Sequence, residues 1–431
     1  MKILFRCLCL FLLPLGAWAQ QPLSLEEAIQ RGLENNYDIR IQDKEVAKAT
    51  TLNSWGQAGR YPSITFVGKG TNQDNYSPTL SHQYSVTGGV TLNWVLFDGF
   101  RINITKAKLA DLQKFSEGNA MVIIENTVQS IILGYYQLLQ NQSEKEVLAR
   151  VKQLSYDRLK YVEEQRKVGT SVKFDYLQAK NNYLADKAKL LSLSVTTQNL
   201  ERNLAYLMGD DSSVSYKLTT PLEVPKADYV MIDLEQKMRS SNRNLINQYL
   251  SLAVITDDYR LSKSGDYPSV NVTGSYNYGH GWSDASGSMG NAPVSNLFIE
   301  MGVRYNLFNG GIQKRAKKVA KYNVEVQELR TESLWLGLKN QLINQFNKYM
   351  LERELFEVAN EAEKSSLLNL EIAQERYNVG AINSFNYRDI QIAYQNAALG
   401  MVRSKYRLIE TNVGLVKLTG GILNDYTEIK N

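Results

Sequence analysis

At 431 residues the chain could hold two or three ordinary domains and a sizeable core, yet a mean hydropathy of -0.33 excludes a bundle of membrane-spanning helices. The formal charge is +5, from 49 basic and 44 acidic residues, and it falls to +3 without Lys2 and Arg6. With no basic face interleaved with aromatics, that is no nucleic-acid footprint.

Residues 1–19 read as a signal peptide. Lys2 and Arg6 precede an apolar run from Cys7 to Leu15, and Ala17-Trp18-Ala19 fits a small-x-small cleavage site. The run is too short to span a bilayer. Both cysteines, Cys7 and Cys9, lie inside it, which excludes a disulfide scaffold, a thiolate metal site and a cysteine nucleophile from the mature chain. No cysteine follows the cleavage site, so no lipid anchor is expected there.

The rest of the chain is one unit written twice. Leu96-Phe97-Asp98-Gly99 returns as Leu307-Phe308-Asn309-Gly310, and Val168-Gly169 as Val379-Gly380, each 211 positions later. Phe174-Asp175-Tyr176 and Phe385-Asn386-Tyr387 keep the same offset, as do Leu207-Met208-Gly209 and Leu418-Thr419-Gly420. Tyr61-Pro62-Ser63 returns as Tyr267-Pro268-Ser269 at an offset of 206. One offset held through four landmarks marks a duplication.

The first repeat, 20–209, is expected to contain a helix, a β-hairpin at about 62–97, a long helix at about 101–167, a tip turn at 168–173 and a return helix at 174–209. A linker at 210–230 follows. The second repeat, 231–420, is expected to carry a helix, a hairpin at about 268–308, a long helix at about 312–377, a turn at 378–384 and a return helix at 385–420, with a tail at 421–431.

No proline occurs from Thr79 to Thr220 or from Val294 to Asn431, which permits very long helices. Apolar residues recur at spacings of four and three through Ile124, Val128, Ile131, Tyr135 and Leu138, then Val147, Val151 and Leu154. Trp335, Leu338, Leu342, Phe346 and Tyr349 repeat the style. This is coiled-coil packing, in helices of roughly 100 Å.

The hairpin segments alternate with period two. Val270, Val272, Tyr276 and Tyr278 face away from Asn271, Thr273 and Ser275; Leu297, Ile299, Met301 and Val303 face away from Glu300 and Arg304. Val86, Val90, Leu92 and Trp94 do the same in the first repeat, while the Ile64/Phe66 segment is weaker. Strands of this length and girdling aromatics suit a membrane barrel. Two hairpins give four strands, too few to close. Several chains must share one barrel, and the count alone leaves two, three or four open.

The whole mature chain resembles the TolC-type outer membrane factors of Gram-negative bacteria. The match is most specific at the two turns, Lys167-Val168-Gly169-Thr170 with Asp175, and Arg376-Tyr377-Asn378-Val379-Gly380 with Asn386 and Asp389. The resemblance implies an α+β membrane protein. It would be a homotrimer with a shared 12-stranded β-barrel and a periplasmic α-helical barrel, in outer-membrane lipid and extending into the periplasm. It further implies a passive exit duct for efflux or type I secretion, docked to a periplasmic adaptor and an inner-membrane pump.

By the same resemblance, Val168, Gly169, Thr170, Val379 and Gly380 meet the adaptor. Asp389, Asn386, Asp175 and Tyr377 form the pore constriction and its gate, with a ring of acids attracting cations. Read from the residues alone, Asp175 and Asp389 also suit the positive end of a helix, and the glycines suit a left-handed helix stop. Asn386 replaces a second acid, and Ile382 stands where the best-known members carry a basic latch residue.

No enzyme is expected. His82 and His280 lie near the hairpin loops without convergent acids, Glu300 and Arg304 read as lumen-lining groups, and no phosphate loop is present. No cofactor, metal or nucleic-acid partner is implied. The rival reading is a periplasmic coiled-coil scaffold or adaptor, which accounts for the heptads but not for the paired hairpins.

Overall fold

The computed structural model describes residues 21–76, 80–211, 216–283 and 290–426. The expected signal peptide, with Cys7 and Cys9, lies outside these residues, as do Pro78 and parts of the second hairpin loop and the tail. The chain opens with β1 (Gln21–Leu23), α1 (Leu25–Asn35) and α2 (Tyr37–Leu52). The first hairpin, β2 (Ser63–Tyr76) and β3 (Leu80–Asp98), leads into α3 (Arg101–Lys167), and α4 (Lys173–Met208) returns. Then β4 (Tyr216–Leu218), α5 (Met231–Ser241) and α6 (Arg243–Ser264) precede the second hairpin, β5 (Ser269–Ser283) and β6 (Gly290–Arg304). The chain finishes with α7 (Ile312–Asn378), α8 (Ser384–Leu418) and α9 (Ile422–Tyr426).

Both α3 and α7 have 67 residues, about 100 Å each at 1.5 Å per residue. The long and return helices of both repeats stop in the same way. Gly169, Gly209, Gly380 and Gly420 have positive φ of 81, 72, 73 and 70°. The residue after each donates back to the last turn: Thr170 to Gln165 at 2.9 Å, Asp210 to Ala205 at 2.9 Å, Ala381 to Arg376 at 2.8 Å and Gly421 to Val416 at 2.9 Å. These are Schellman stops, which satisfy carbonyls the helix end would otherwise orphan. Duplication is thus visible in the backbone as well as the sequence.

The chain forms two compact units. The first comprises 41–122 and 243–338 and holds one antiparallel sheet in the order β2-β3-β5-β6. Cross-strand partners share a face. Phe66, Val90, Tyr276 and Leu297 form one row, and Trp94, Val272 and Met301 another. The opposite face carries Thr91, Asn93, Thr273, Ser275 and Glu300. The apolar side is exposed at Phe66, Leu297, Ile299 and Met301, and β2 and β6 leave both edges unpaired within the chain.

Two details differ from expectation. β2 is a full 14-residue strand although Gly68, Gly70 and Asn72 dilute its alternation; pairing of its whole length with 80–93 of β3 holds it. β6 stops at Arg304, short of Leu307-Phe308, because Arg304 already pairs with Ser269, the first residue of β5. Beyond it this chain offers no partner, whereas β5 continues to pair β3 as far as Asp98, opposite Ser269.

The second unit comprises 21–40, 123–242 and 339–426 of the described chain. Its core packs Leu23, Ile29, Val128, Ile131, Leu138, Leu204, Met208 and Val413 around a fully buried Tyr135. The Tyr135 hydroxyl donates to the Leu23 carbonyl at 2.8 Å and accepts from the Thr219 and Thr220 amides at 3.2 and 3.0 Å. It thereby pins the parallel β1–β4 pair, which the sequence reading did not anticipate.

Candidate functional site at the helical tip

Both tip turns belong to the second unit. Gly169 and Gly380 are left-handed, and a Cβ at either would meet nothing within 4 Å. Backbone conformation, not space, requires glycine there. Val168 and Val379 stand exposed beside them, and Thr170 closes the first turn with its side chain on the Gln165 carbonyl at 3.0 Å. The return helices begin differently. Asn383 caps α8, accepting from the Phe385 and Asn386 amides at 3.0 and 2.9 Å, while Val172 gives α4 no side-chain cap. Phe174 and Phe385, equivalent in the two repeats, approach to 6.3 Å between ring centroids.

The structure separates the expected gate residues into two groups. Asp175 and Tyr377 share a cleft of about 180 Å³ with Tyr161, Ser171 and Ser384. Asp389 and Asn386 instead lie exposed on α8. Tyr377 stacks on Tyr387 at 4.8 Å and meets Tyr161 edge-on at 5.6 Å. Ile382 packs with Tyr377 against a small core of Val151, Leu370, Ala373, Tyr387, Tyr394 and Ala398. An apolar contact therefore occupies the position where a basic residue was noted as absent.

Above the cleft lies a buried ion network that sequence reasoning missed. Arg388 of α8 donates from both terminal nitrogens to the Asp186 carboxylate of α4, at 2.7 and 2.9 Å. Ser155 of α3 hydrogen-bonds the same carboxylate and accepts from Arg388 at 3.3 Å. Arg158, 4% exposed, donates to Ser384. Burial pulls the Arg158 guanidinium below its ordinary range; Tyr377 opposes that shift and neighbouring Arg388 adds to it. Burial also pushes the Tyr387 hydroxyl up. Farther along α8, Arg403 pairs with Glu144 of α3 at 2.9 Å and Arg407 with Glu352 of α7 at 3.1 Å. Three arginines thus tie α8 to three different helices.

One signal could have exposed this network. Val151, Ser155, Arg158 and Val162 follow the four-three spacing of the apolar seam and are all buried. A serine and an arginine at seam positions demand buried polar partners. Among the described residues, no group of three or more His, Cys, Asp or Glu is placed to hold a metal ion, and no helix is long and apolar enough to cross a membrane.

Residues 28–210 and 234–421 match the family described as outer membrane efflux protein. The chain belongs to that family. No curated protein matches it in sequence. Its fold is similar to that of the Campylobacter jejuni CmeC outer membrane channel, at 16% identity and a TM-score of 0.76 over 92% of this chain and 85% of that one. The open state of the Neisseria gonorrhoeae MtrE outer membrane channel gives 16% and 0.75, over 93% and 89%. The outer membrane protein VceC of Vibrio cholerae gives 14% and 0.74, over 92% and 96%.

Within this outer membrane efflux protein, the two repeats are chemically unequal at the tip. At the 211-residue offset Arg388 corresponds to Leu177, Asp186 to Ala397 and Arg158 to Asn369. The ion network joins α3, α4 and α8 once and is not repeated at the equivalent positions.

Proposed function

We propose that this efflux protein is the outer-membrane exit duct of a tripartite efflux or type I secretion system, a passive conduit gated at its periplasmic tip. One observation carries the reading. A four-stranded sheet with an exposed apolar face and two unpaired edges runs directly into 67-residue helices. In lipid such edges must be satisfied, and a homotrimer satisfies them by closing one shared 12-stranded barrel. The apolar face then meets outer-membrane lipid of a Gram-negative cell, and the polar face lines the lumen.

Asp389 and Asn386, exposed on α8, are the candidates for the constriction. Asp175 and Tyr377 act beside them in the tip cleft. Val168, Gly169, Thr170, Val379 and Gly380 form the surface offered to a periplasmic adaptor, which couples the duct to an inner-membrane pump. The protein mass of the detergent-extracted, unheated particle, with bound detergent subtracted, tests the assembly. Three chains per particle are expected. A detergent-independent monomer would overturn the duct and leave a periplasmic scaffold in its place.

A further inference from the structure

The alternation of the sheet locates the foot of its apolar face. Trp94, on that face, donates its indole N–H to the Arg60 carbonyl at 3.0 Å. The loop before β2 is therefore anchored on the lipid side of the sheet, not the lumen side. Phe97, Phe100 and Tyr267 continue the aromatic level in edge-to-face contacts of 5.3 and 5.7 Å. Such a belt marks a membrane–water interface.

Immediately below it two cations share one aromatic ring. The Arg60 guanidinium lies 4.6 Å from the Trp55 ring centroid and the Lys106 ammonium 6.0 Å from it. The arrangement is built rather than incidental. The Arg60 amide donates to the Trp55 carbonyl at 3.0 Å, closing the loop, and Lys106 donates to the Asn53 side chain at 2.5 Å. Among the described residues neither cation pairs with a carboxylate.

A neighbouring protomer would not neutralise them. Closure sets β6 of the next chain beside β2, and the outward residues of β6 are Leu297, Ile299, Met301 and Val303. The segment that follows brings Lys314, Arg315, Lys317 and Lys318, with no acid before Glu325. These cations crowd the start of α7, where the helix dipole disfavours them, so helix stability does not account for them. Among the described residues, Lys317 alone of these four is held in an ion pair, with Asp266 at 2.7 Å.

We propose that Arg60 and Lys106, held against Trp55 below the apolar band, form a binding site for the phosphate of an anionic phospholipid in the periplasmic leaflet. The site rests on the barrel reading above. Basic groups at this depth attract anionic headgroups, and the indole seats the glycerol level of the same lipid. One such site per protomer would fix the height of the barrel.

Native mass spectrometry of the detergent-extracted particle, titrated with equal phosphatidylglycerol and phosphatidylcholine, tests it. Two cations predict a preference for phosphatidylglycerol of about tenfold or more, falling below about twofold in the Arg60→Gln/Lys106→Gln double variant. Lys48→Gln, on exposed α2, should keep the preference. Should the double variant fail to assemble, either single variant should lose about threefold. No preference in the wild type, or an undiminished one in the variants, overturns the site. Displacement of bound lipid by millimolar inorganic phosphate would make it a free-phosphate site and overturn the lipid assignment. Failure of the barrel reading shows separately, as absence of conductance in pure phosphatidylcholine bilayers.

Discussion

Asp186→Asn should release the start of α8 from α3 and α4. The substitution keeps the shape and an acceptor for Ser155 but removes the charge that Arg388 grips through two hydrogen bonds. The side chain of Asp186 is 2% exposed and that of Arg388 12%, so water screens the pair little. Removing one partner of such a pair strands a buried charge, at a cost of about 3–5 kcal/mol. Arg158, already repelled by Arg388, raises the cost further. Read locally, that energy corresponds to about a hundredfold to several-thousandfold loss of amide protection. Hydrogen–deuterium exchange of residues 384–394 in the detergent-extracted particle measures it. An apolar pair, Asp186→Leu with Arg388→Met, should restore most of the protection, because it removes both charges together. Protection within about threefold of wild type in Asp186→Asn would refute the claim that this pair holds α8. The released tip should also conduct more often in planar bilayers, since α8 carries Asp389 and borders the cleft of Asp175 and Tyr377.

Four further outcomes are expected. Asp389→Asn should lower the cation-over-anion permeability ratio and weaken block by multivalent cations; an unchanged ratio would remove Asp389 from the constriction. Gly380→Ala should cost about 1–2 kcal/mol purely through its left-handed backbone, since open space surrounds the new Cβ, and Gly380→Asn should cost less; equal melting temperatures for all three would contradict this. Ile299→Arg, at mid-height on the apolar face, should cost about 2–4 kcal/mol and reduce assembled particle, while Thr273→Arg, opposite Glu300 on the polar face, should be tolerated. Similar yields from the two would invert the assignment of the faces. Tyr135→Phe should cost about 1–3 kcal/mol by leaving the Thr220 amide without its acceptor, the Thr219 amide keeping its bond to the Leu23 carbonyl at 3.0 Å, and protease sensitivity at 219–220 should rise. An unaltered digestion pattern would show that the hydroxyl does not hold the β1–β4 pair.

What could be read in advance follows the range of each interaction. Period-two alternation in 270–278 and 297–303, and four-three spacing from Ile124 to Leu154, are local records of which side is buried. The glycine stops at 169 and 380 are local too, because a left-handed residue shapes its own turn. The three-residue β1 and β4 are too short to show any period, and the Tyr135 hydroxyl that holds them joins sites more than eighty residues apart. The ion network stayed hidden for a related reason. Ser155 and Arg158 are visible as polar residues on an apolar seam, but their neighbours Asp186, Ser384 and Arg388 come from helices the spacing cannot pair.

That network also limits what duplication explains. The two repeats share helix lengths and Schellman stops, so the tip hairpins have nearly the same backbone. Their chemistry differs at the cap and at the ion pair that hold the return helix. α8 begins with the Asn383 cap and the Arg388–Asp186 pair. At the same places α4 has the uncapped Val172 and an exposed Leu177. A capping hydrogen bond contributes about 1 kcal/mol, and a stranded half of the ion pair costs several times that. Movement at the tip therefore has unequal thresholds. The α7–α8 turn is held through Arg388, close to the start of α8, whereas the α3–α4 turn lies well before Asp186 on α4, so its first turns can shift by giving up apolar contacts before the shared ion pair breaks. The exposed acid Asp389 lies next to that pair, so its position depends on the more strongly held hairpin.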